Sequence, residues 1–276
     1  MDKSKITEKF SDYDSIESMS TKEILINMNK EDAKVADAVA KALPQIECLI
    51  NQLHEKMLRG GRLFYIGAGT SGRLGILDAS EIPPTFGEKD RIIGLIAGGD
   101  KAIRTAVEFA EDDTDLARKD LSQYNFSSKD ALVGIAASGT TPYVLGGLRY
   151  AKSIGASTGC ITNNPDSPIA SVADYPVEVF VGPEFITGST RMKSGTSQKL
   201  VLNMISTSLM IKAEKIKGNK MVNMQLTNDK LIERGIHFLV DELDVSAEEA
   251  SRLLSKHHSV QKAIDFWQSE NAKSDS

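Results

Sequence analysis

Two hydroxyl-bearing turns and two carboxylates are the residues of this chain whose types and spacing could do chemistry. The first turn is Gly67-Ala68-Gly69-Thr70-Ser71-Gly72, which follows an apolar run and precedes a helical pattern. A strand, a glycine turn and a helix start make an anion site, because backbone N–H groups and the positive end of the helix dipole face the ligand. The three glycines spell G-x-G-x-x-G, yet a dinucleotide fingerprint needs an acid about 20 residues on. Here the next apolar run ends in Ala97-Gly98-Gly99, and Asp100 comes 28 residues after Gly72. A P-loop fails too, since Arg73-Leu74 follows Gly72 where Lys-Ser/Thr is required. What distinguishes the turn is Thr70 and Ser71. The device recurs at Ser138-Gly139-Thr140-Thr141, ahead of a helix starting at Pro142. Two such turns on neighbouring strands suit one phosphate monoester, which takes many short hydrogen bonds from hydroxyl and amide donors. The alternative is that Ser71, and Ser138 or Thr141, simply cap their helices.

The carboxylates are Glu81 and Glu111. Glu81 ends a helical pattern stopped by Pro83-Pro84. A carboxylate at that end is disfavoured by the helix dipole, which favours its protonated form and suits a proton donor. A solvated surface glutamate satisfies the same spacing. Glu111 opens the run Glu-Asp-Asp-Thr-Asp, and Asp112, Asp113 and Thr114 read as the cap and first turn of a further helix.

These residues need a scaffold. The opening 20 residues read as a loose arm. A helical stripe of Val35, Val39, Leu43, Ile46, Ile50, Leu53 and Met57 follows, interrupted at Pro44, which kinks the helix or begins a second one. From residue 62 short apolar runs alternate with helical patterns: strands at 62–66, 91–97, 130–136, 157–161 and 177–181, helices at 71–81, 100–110, 114–123 and 142–153, with a short one at 166–172. This alternation predicts a doubly wound, five-stranded parallel sheet with helices on both faces. Ligands of such sheets bind at the carboxyl ends of strands where the strand order reverses, directing attention to the loops after 66, 97, 136 and 181. A long helix is expected at 194–216, then three short ones at 228–240, 246–256 and 258–268 anchored by Trp267, and a frayed end of eight residues. The organisation reads as an arm and helices over 1–60, an α/β domain over 61–226 that carries the turns for a phosphorylated small ligand, and a helical segment over 227–276.

Composition narrows the function. Of the 276 residues 41% are hydrophobic, 26% charged, and the net charge is −5, which leaves no global basic footprint for nucleic acid. No run approaches the ~18 apolar residues of a membrane span, and Met1-Asp2-Lys3-Ser4 opens no signal-peptide core. Two cysteines, Cys48 and Cys160, make no disulfide framework, and His54, His237, His257 and His258 lack metal-ligand spacing. A cytoplasmic α/β protein without a metal, cofactor, membrane or nucleic-acid partner is expected.

The segments 65–87, 94–113, 134–144 and 182–204 closely resemble the N-acetylmuramic acid 6-phosphate etherases, bacterial cell-wall-sugar recycling enzymes built on a sugar-isomerase (SIS) domain. The resemblance covers about residues 1–226, and the 182–196 block is shared with glucokinase regulatory relatives. It implies an SIS-type fold, a homodimer with sites near the subunit interface, and a lyase that releases D-lactate without a cofactor. It implies that Glu81 and Glu111 are the catalytic pair, Glu81 being the proton donor. Ser71, Ser138 and Thr141 would hold the phosphate, and Thr70 and Gly139 would supply turn geometry or amides. Ser189, Arg191 and Lys193 would be possible substrate contacts, unless their helix start turns its cations to solvent or a partner subunit. Members often carry Arg where this chain has Thr140. A sugar-phosphate-sensing regulator and an aldose–ketose isomerase of the same fold are the competing readings.

Overall fold

The computed structural model describes residues 5–274 and divides the chain into two compact units, Met1–Ala79 with Asp90–Leu209, and Ser80–Lys89 with Met210–Ser276. In the first unit five strands, β1 (Leu63–Gly67), β2 (Ile92–Ile96), β3 (Ala131–Ile135), β4 (Ser157–Thr162) and β5 (Tyr175–Glu178), form a parallel sheet in the order β2-β1-β3-β4-β5. Each lies within about three residues of its expected span. β1 and β3 are buried at every position, as continuous apolar runs covered on both faces must be. The order reverses between β1 and β3, which opens a crevice beyond their carboxyl ends.

The first two helices, α1 (Thr21–Lys41) and α2 (Leu43–Leu58), belong to this compact unit. Pro44 occupies the first turn of α2, where its missing N–H costs nothing. Leu49 of α2 reaches the sheet over Gly159, whose added Cβ would lie 2.5 Å from it. α1 begins with a capping box in which Ser20 and Glu23 satisfy each other's backbone N–H groups. On the same face α3 (Gly69–Ser80) lays Gly75 on Tyr65 and Ile135. α5 (Gly99–Arg104) follows β2, and the opposite face carries α6 (Leu116–Gln123), α7 (Pro142–Ser153) and α8 (Pro168–Val172), with Phe64, Ile66, Leu132, Val144, Leu148 and Cys160 in its core. α9 (Lys193–Lys212) ends four residues earlier than expected, before Glu214 turns left-handed.

The helix at 100–110 and the opening arm need correction. The helix at 100–110 stops at Arg104, because Thr105 is extended and the chain folds back to lay Val107 against Gly98. Phe109 then takes a φ of 62°, which ends any helical continuation. Residues 1–4 of the opening arm lie outside the described residues, and from residue 5 on the arm is not loose. Thr7 is buried, its N–H donates to Asn164 Oδ1 at 3.1 Å, and its hydroxyl accepts from Asn164 Nδ2 at 2.8 Å. Further along, Ser11 Oγ donates to the Phe185 carbonyl and Tyr13 packs on the Phe185 ring.

The second unit holds α4 (Ile82–Phe86), α10 (Asp229–Leu243), α11 (Ala247–His257) and α12 (Val260–Ser274). Its core is Leu239, Ala250, Leu253, Leu254, Val260, Ala263 and Ile264, with Trp267 packed at its margin rather than anchoring it. Asn228 and Ser246 cap α10 and α11. α12 is helical through Ser274 where a frayed end was expected, and residues 275–276 lie outside the described residues.

Candidate active site

The turn after β1 and the turn after β3 meet across the crevice and enclose a cavity of ≈ 390 Å³. Ala68, Gly69, Thr70 and Ser71 form one wall, and Ala136 to Ser138 with Thr140 to Pro142 form another. The N-terminal ends of α3 and α7 both open here, so two helix dipoles converge on the space. Among the described residues no lysine or arginine lines it, so an anion would be held by hydroxyls, amides and dipoles. Glu8, Glu111, Asp112, Ile135, Gly188 and Thr190 complete the lining.

The hydroxyls are not spent on capping their own helices. Thr141 is the N-cap of α7 but makes no capping hydrogen bond. Ser138 Oγ accepts from Thr140 N and Thr140 Oγ1. Ser71 lies inside the first turn of α3 and donates across to Gln198 Oε1 at 2.8 Å. Gly139 has a φ of 70°, and an added Cβ would lie 2.3 Å from Ser167 Cβ. Only glycine fits that turn.

Glu111 reaches the cavity through its backbone. Its carbonyl accepts from Tyr143 N at 2.9 Å, satisfying an orphan donor in the first turn of α7. Two residues on, Asp113 Oδ1 accepts from Asp115 N and Leu116 N at the start of α6. The run is therefore both things that its composition allowed: Asp113 is the cap, and Glu111 is on the cavity.

Glu81 follows the last residue of α3 and is the N-cap of α4, without a capping hydrogen bond. It is exposed, belongs to the second unit and is not among the lining residues. Ser189 and Arg191 do not line the cavity either, although Gly188 and Thr190 beside them do. Lys193 faces neither solvent nor the cavity. Its ammonium is buried on Glu31 Oε2, and Glu31 Oε1 also accepts from Lys34 and Tyr13. Burial raises the Glu31 carboxyl, but hydrogen bonds from Lys193, Lys34 and Tyr13 outweigh it and hold it below the usual range. Cys160 is unsuited as a nucleophile, because burial pushes its thiol up to about 12.

The sequence reading missed the loop after β4. Asn164 Nδ2 donates to the Ala137 and Ser138 carbonyls as well as to Thr7, which clamps the arm onto the β3 turn. Lys5 Nζ then lies 3.4 Å from Thr140 Oγ1. Asn163 Nδ2 bonds Val179 O and Ser197 Oγ, while its Oδ1 accepts from Gln198 Nε2. Glu184 accepts from Lys193 N and Ser194 N and so fixes the start of α9. An adjacent pair of asparagines straight after a strand was the available signal.

Known proteins now place this arrangement. Residues 45–152 match the model of the glucokinase regulatory protein N-terminal SIS domain, and residues 101–208 match that of the SIS domain. An N-acetylmuramic acid 6-phosphate etherase from Christiangramia forsetii is 60% identical over 97% of this chain and 98% of its own. One from Bacteroides fragilis is 58% identical over 95% and 94%. The chain belongs to the N-acetylmuramic acid 6-phosphate etherase family. Among solved structures, a phosphoheptose isomerase from Francisella tularensis superposes with a TM-score of 0.54 at 16% identity, over 70% of this chain and all of its own. A phosphoheptose isomerase from Neisseria gonorrhoeae also gives 0.54 at 16% identity, over 69% and 98%. This etherase-family chain thus shares the fold of those proteins, with the cavity at its strand-order reversal.

Proposed function

We propose that this protein is a carbon–oxygen lyase that converts N-acetylmuramic acid 6-phosphate to N-acetylglucosamine 6-phosphate and D-lactate. The observation that carries the reading is family membership over nearly the whole chain, joined to a cavity where two hydroxyl turns face Glu111. The phosphate sits against Ser138, Thr141 and the amides of both turns, which leaves the sugar's carbon 2 toward Glu111. Ring opening exposes an aldehyde that acidifies the carbon 2 hydrogen. Glu111 takes that proton, the carbon 2–carbon 3 double bond forms, and the bond from carbon 3 to the lactyl oxygen breaks. The departing oxygen receives a proton from Glu81. Water then adds at carbon 3, giving a proton back to Glu81, while Glu111 returns one to carbon 2. A positioned acid and base each contribute about 10²–10⁴ in rate. The aldehyde is the electron sink, so the scheme uses no metal. Glu81 comes into this scheme from the family resemblance, and a homodimer acting in the cytoplasm is part of the same proposal.

The test is lactate release in heavy water. The wild-type enzyme should produce D-lactate and N-acetylglucosamine 6-phosphate in equal amounts, with solvent deuterium on carbon 2. Glu111→Gln should abolish release and exchange together, whereas Glu81→Gln should block release and retain slow exchange. A Glu111→Gln enzyme that exchanges carbon 2 hydrogen at near wild-type rate would refute the assignment of the base. Interconversion of an aldose and a ketose without lactate would establish the isomerase reading instead.

A further inference from the structure

Beside the main cavity lies a second chamber of ≈ 310 Å³, and the two share Ala68, Gly69 and Glu111 as a common wall. Its character is different. No hydroxyl turn lines it; instead Ala97, Ala102, Ala106 and Val107 present small apolar surface around Arg73. The Arg73 Nε donates to the Ile103 carbonyl at 2.9 Å, which fixes the guanidinium plane. Among the described residues Arg73 is in no ion pair and its hydrogen bond to Ile103 uses Nε, so its two Nη groups face the chamber as donors for a ligand. The segment closing the chamber carries Phe109 at a φ of 62°, a left-handed conformation unusual for a bulky side chain and one that recurs at ligand sites. Glu108, at the rim, sets the only opposing charge besides Glu111 among the lining residues.

Resting on the proposed function, we infer that this second chamber is the lactyl subsite, with Arg73 holding the lactyl carboxylate and the alanine wall its methyl group. The chemistry of the substrate demands such a division. Its phosphate is on carbon 6 and its lactyl ether on carbon 3, so the two anionic groups leave the reacting carbon 2 in different directions. Glu111 stands on the wall between the chambers, where carbon 2 must lie. A fixed guanidinium offers a carboxylate two parallel N–H donors, and small apolar residues accommodate a single methyl without rejecting it. The acetamido group on carbon 2 is the other substituent that could enter, but it carries no charge for the guanidinium to neutralise. Arg73 thus distinguishes the ether from the product that lacks it.

The decisive comparison uses substrate and product on the same variants. Arg73→Met should lower kcat/KM for lactate release by about 10- to 100-fold, the worth of a charge-assisted hydrogen-bonded contact. Arg73→Lys, a point charge without the fork, should fall between. Both variants should still bind N-acetylglucosamine 6-phosphate with wild-type affinity and exchange its carbon 2 hydrogen in heavy water, since that ligand never enters the chamber. D-Lactate should inhibit the wild-type enzyme and lose that effect on Arg73→Met. Equal loss of affinity for N-acetylglucosamine 6-phosphate would assign the chamber to the acetamido group and overturn the inference. Wild-type lactate release matched by Arg73→Met would overturn the subsite alone, whereas a wild-type enzyme that releases no lactate would overturn the function and the subsite together.

Discussion

Gly146 sits in the first half of α7, and a methyl group added there would lie 1.9 Å from the carbonyl oxygen of Thr114. Ordinary contact begins at 3.4 Å, so Gly146→Ala must drive the two backbones apart by about 1.5 Å. Thr114 is three residues beyond Glu111, and the Glu111 carbonyl is tied to Tyr143 N on the same helix. The displacement therefore strains the one bond that seats Glu111 at the cavity. A misplacement of about 1 Å can cost on the order of 100-fold in rate, and kcat for lactate release should fall by that factor. Stability should change much less. Alanine gains about 1 kcal/mol over glycine in a helix interior, against about 1–3 kcal/mol for forced overpacking. The net cost of about 0–2 kcal/mol lowers Tm by no more than several degrees. The measurements are kcat, KM and Tm, with Gly60→Ala as the control. Gly60 has a φ of 83° and no neighbour within 4 Å, so that substitution should cost stability alone. Full kcat in Gly146→Ala, with an unchanged Tm, would show that the Thr114 segment yields without moving Glu111.

Other perturbations separate binding from stability. Thr141→Ala should raise KM by about 10- to 100-fold at nearly constant kcat, from loss of one charge-assisted hydrogen bond; Ser71→Ala should do this and also lower stability by about 1–3 kcal/mol, because it strands the buried Gln198 acceptor. Lys193→Met leaves Glu31 partly uncompensated in the interior and should destabilise by about 3–5 kcal/mol in denaturant titrations, with Glu31→Gln in the same chain restoring part of it. Asp130 is raised by burial but held below the usual carboxylate range by Arg62 and Ser127, which outweigh it. Its contribution, about 1.5–3 kcal/mol, is present above about pH 3.9 and is lost as pH falls through its lower folded value. Asp130→Asn should therefore trail the wild type at pH 7 and converge with it in acid. Turnover should survive a chelator, since the aldehyde carries the electrons in the proposed scheme; loss of activity that added divalent metal restores would contradict it.

The strands were legible because each is a short apolar run ended by Gly, Ser, Asp or Pro, and a run buried on both faces leaves no alternation to misread. The two hydroxyl turns stood out for a related reason, since each sets glycine and hydroxyl residues at a strand end ahead of a helix, and the structure brings both to one cavity. Helix 100–110 was misread because nothing in its composition marks the stop. The break comes from Val107 closing on Gly98, a tertiary contact that outweighs local propensity. Gln198 lies 127 residues from Ser71, and Thr7 lies 157 from Asn164. No local pattern carries pairings of that range. Lys193 shows the limit most clearly: a lysine two residues from Arg191 reads as a possible substrate contact or a solvent- or partner-facing cation until α1 delivers Glu31 to it.

The clamp at Asn164 has a thermodynamic corollary. One amide holds the Thr7 segment and the carbonyls of Ala137 and Ser138 at once, so undocking of the amino-terminal segment and loosening of the turn after β3 share an equilibrium. Any ligand that tightens the turn must tighten the docked segment by the same factor, because linkage is reciprocal. With net worth of about 0.5–1.5 kcal/mol for each hydrogen bond, the docked state is favoured only modestly and is open to such a shift. Amide exchange or proteolysis at residues 5–13 then reads occupancy of the cavity from outside it, and a bulky amino-terminal fusion competes directly with sugar phosphate.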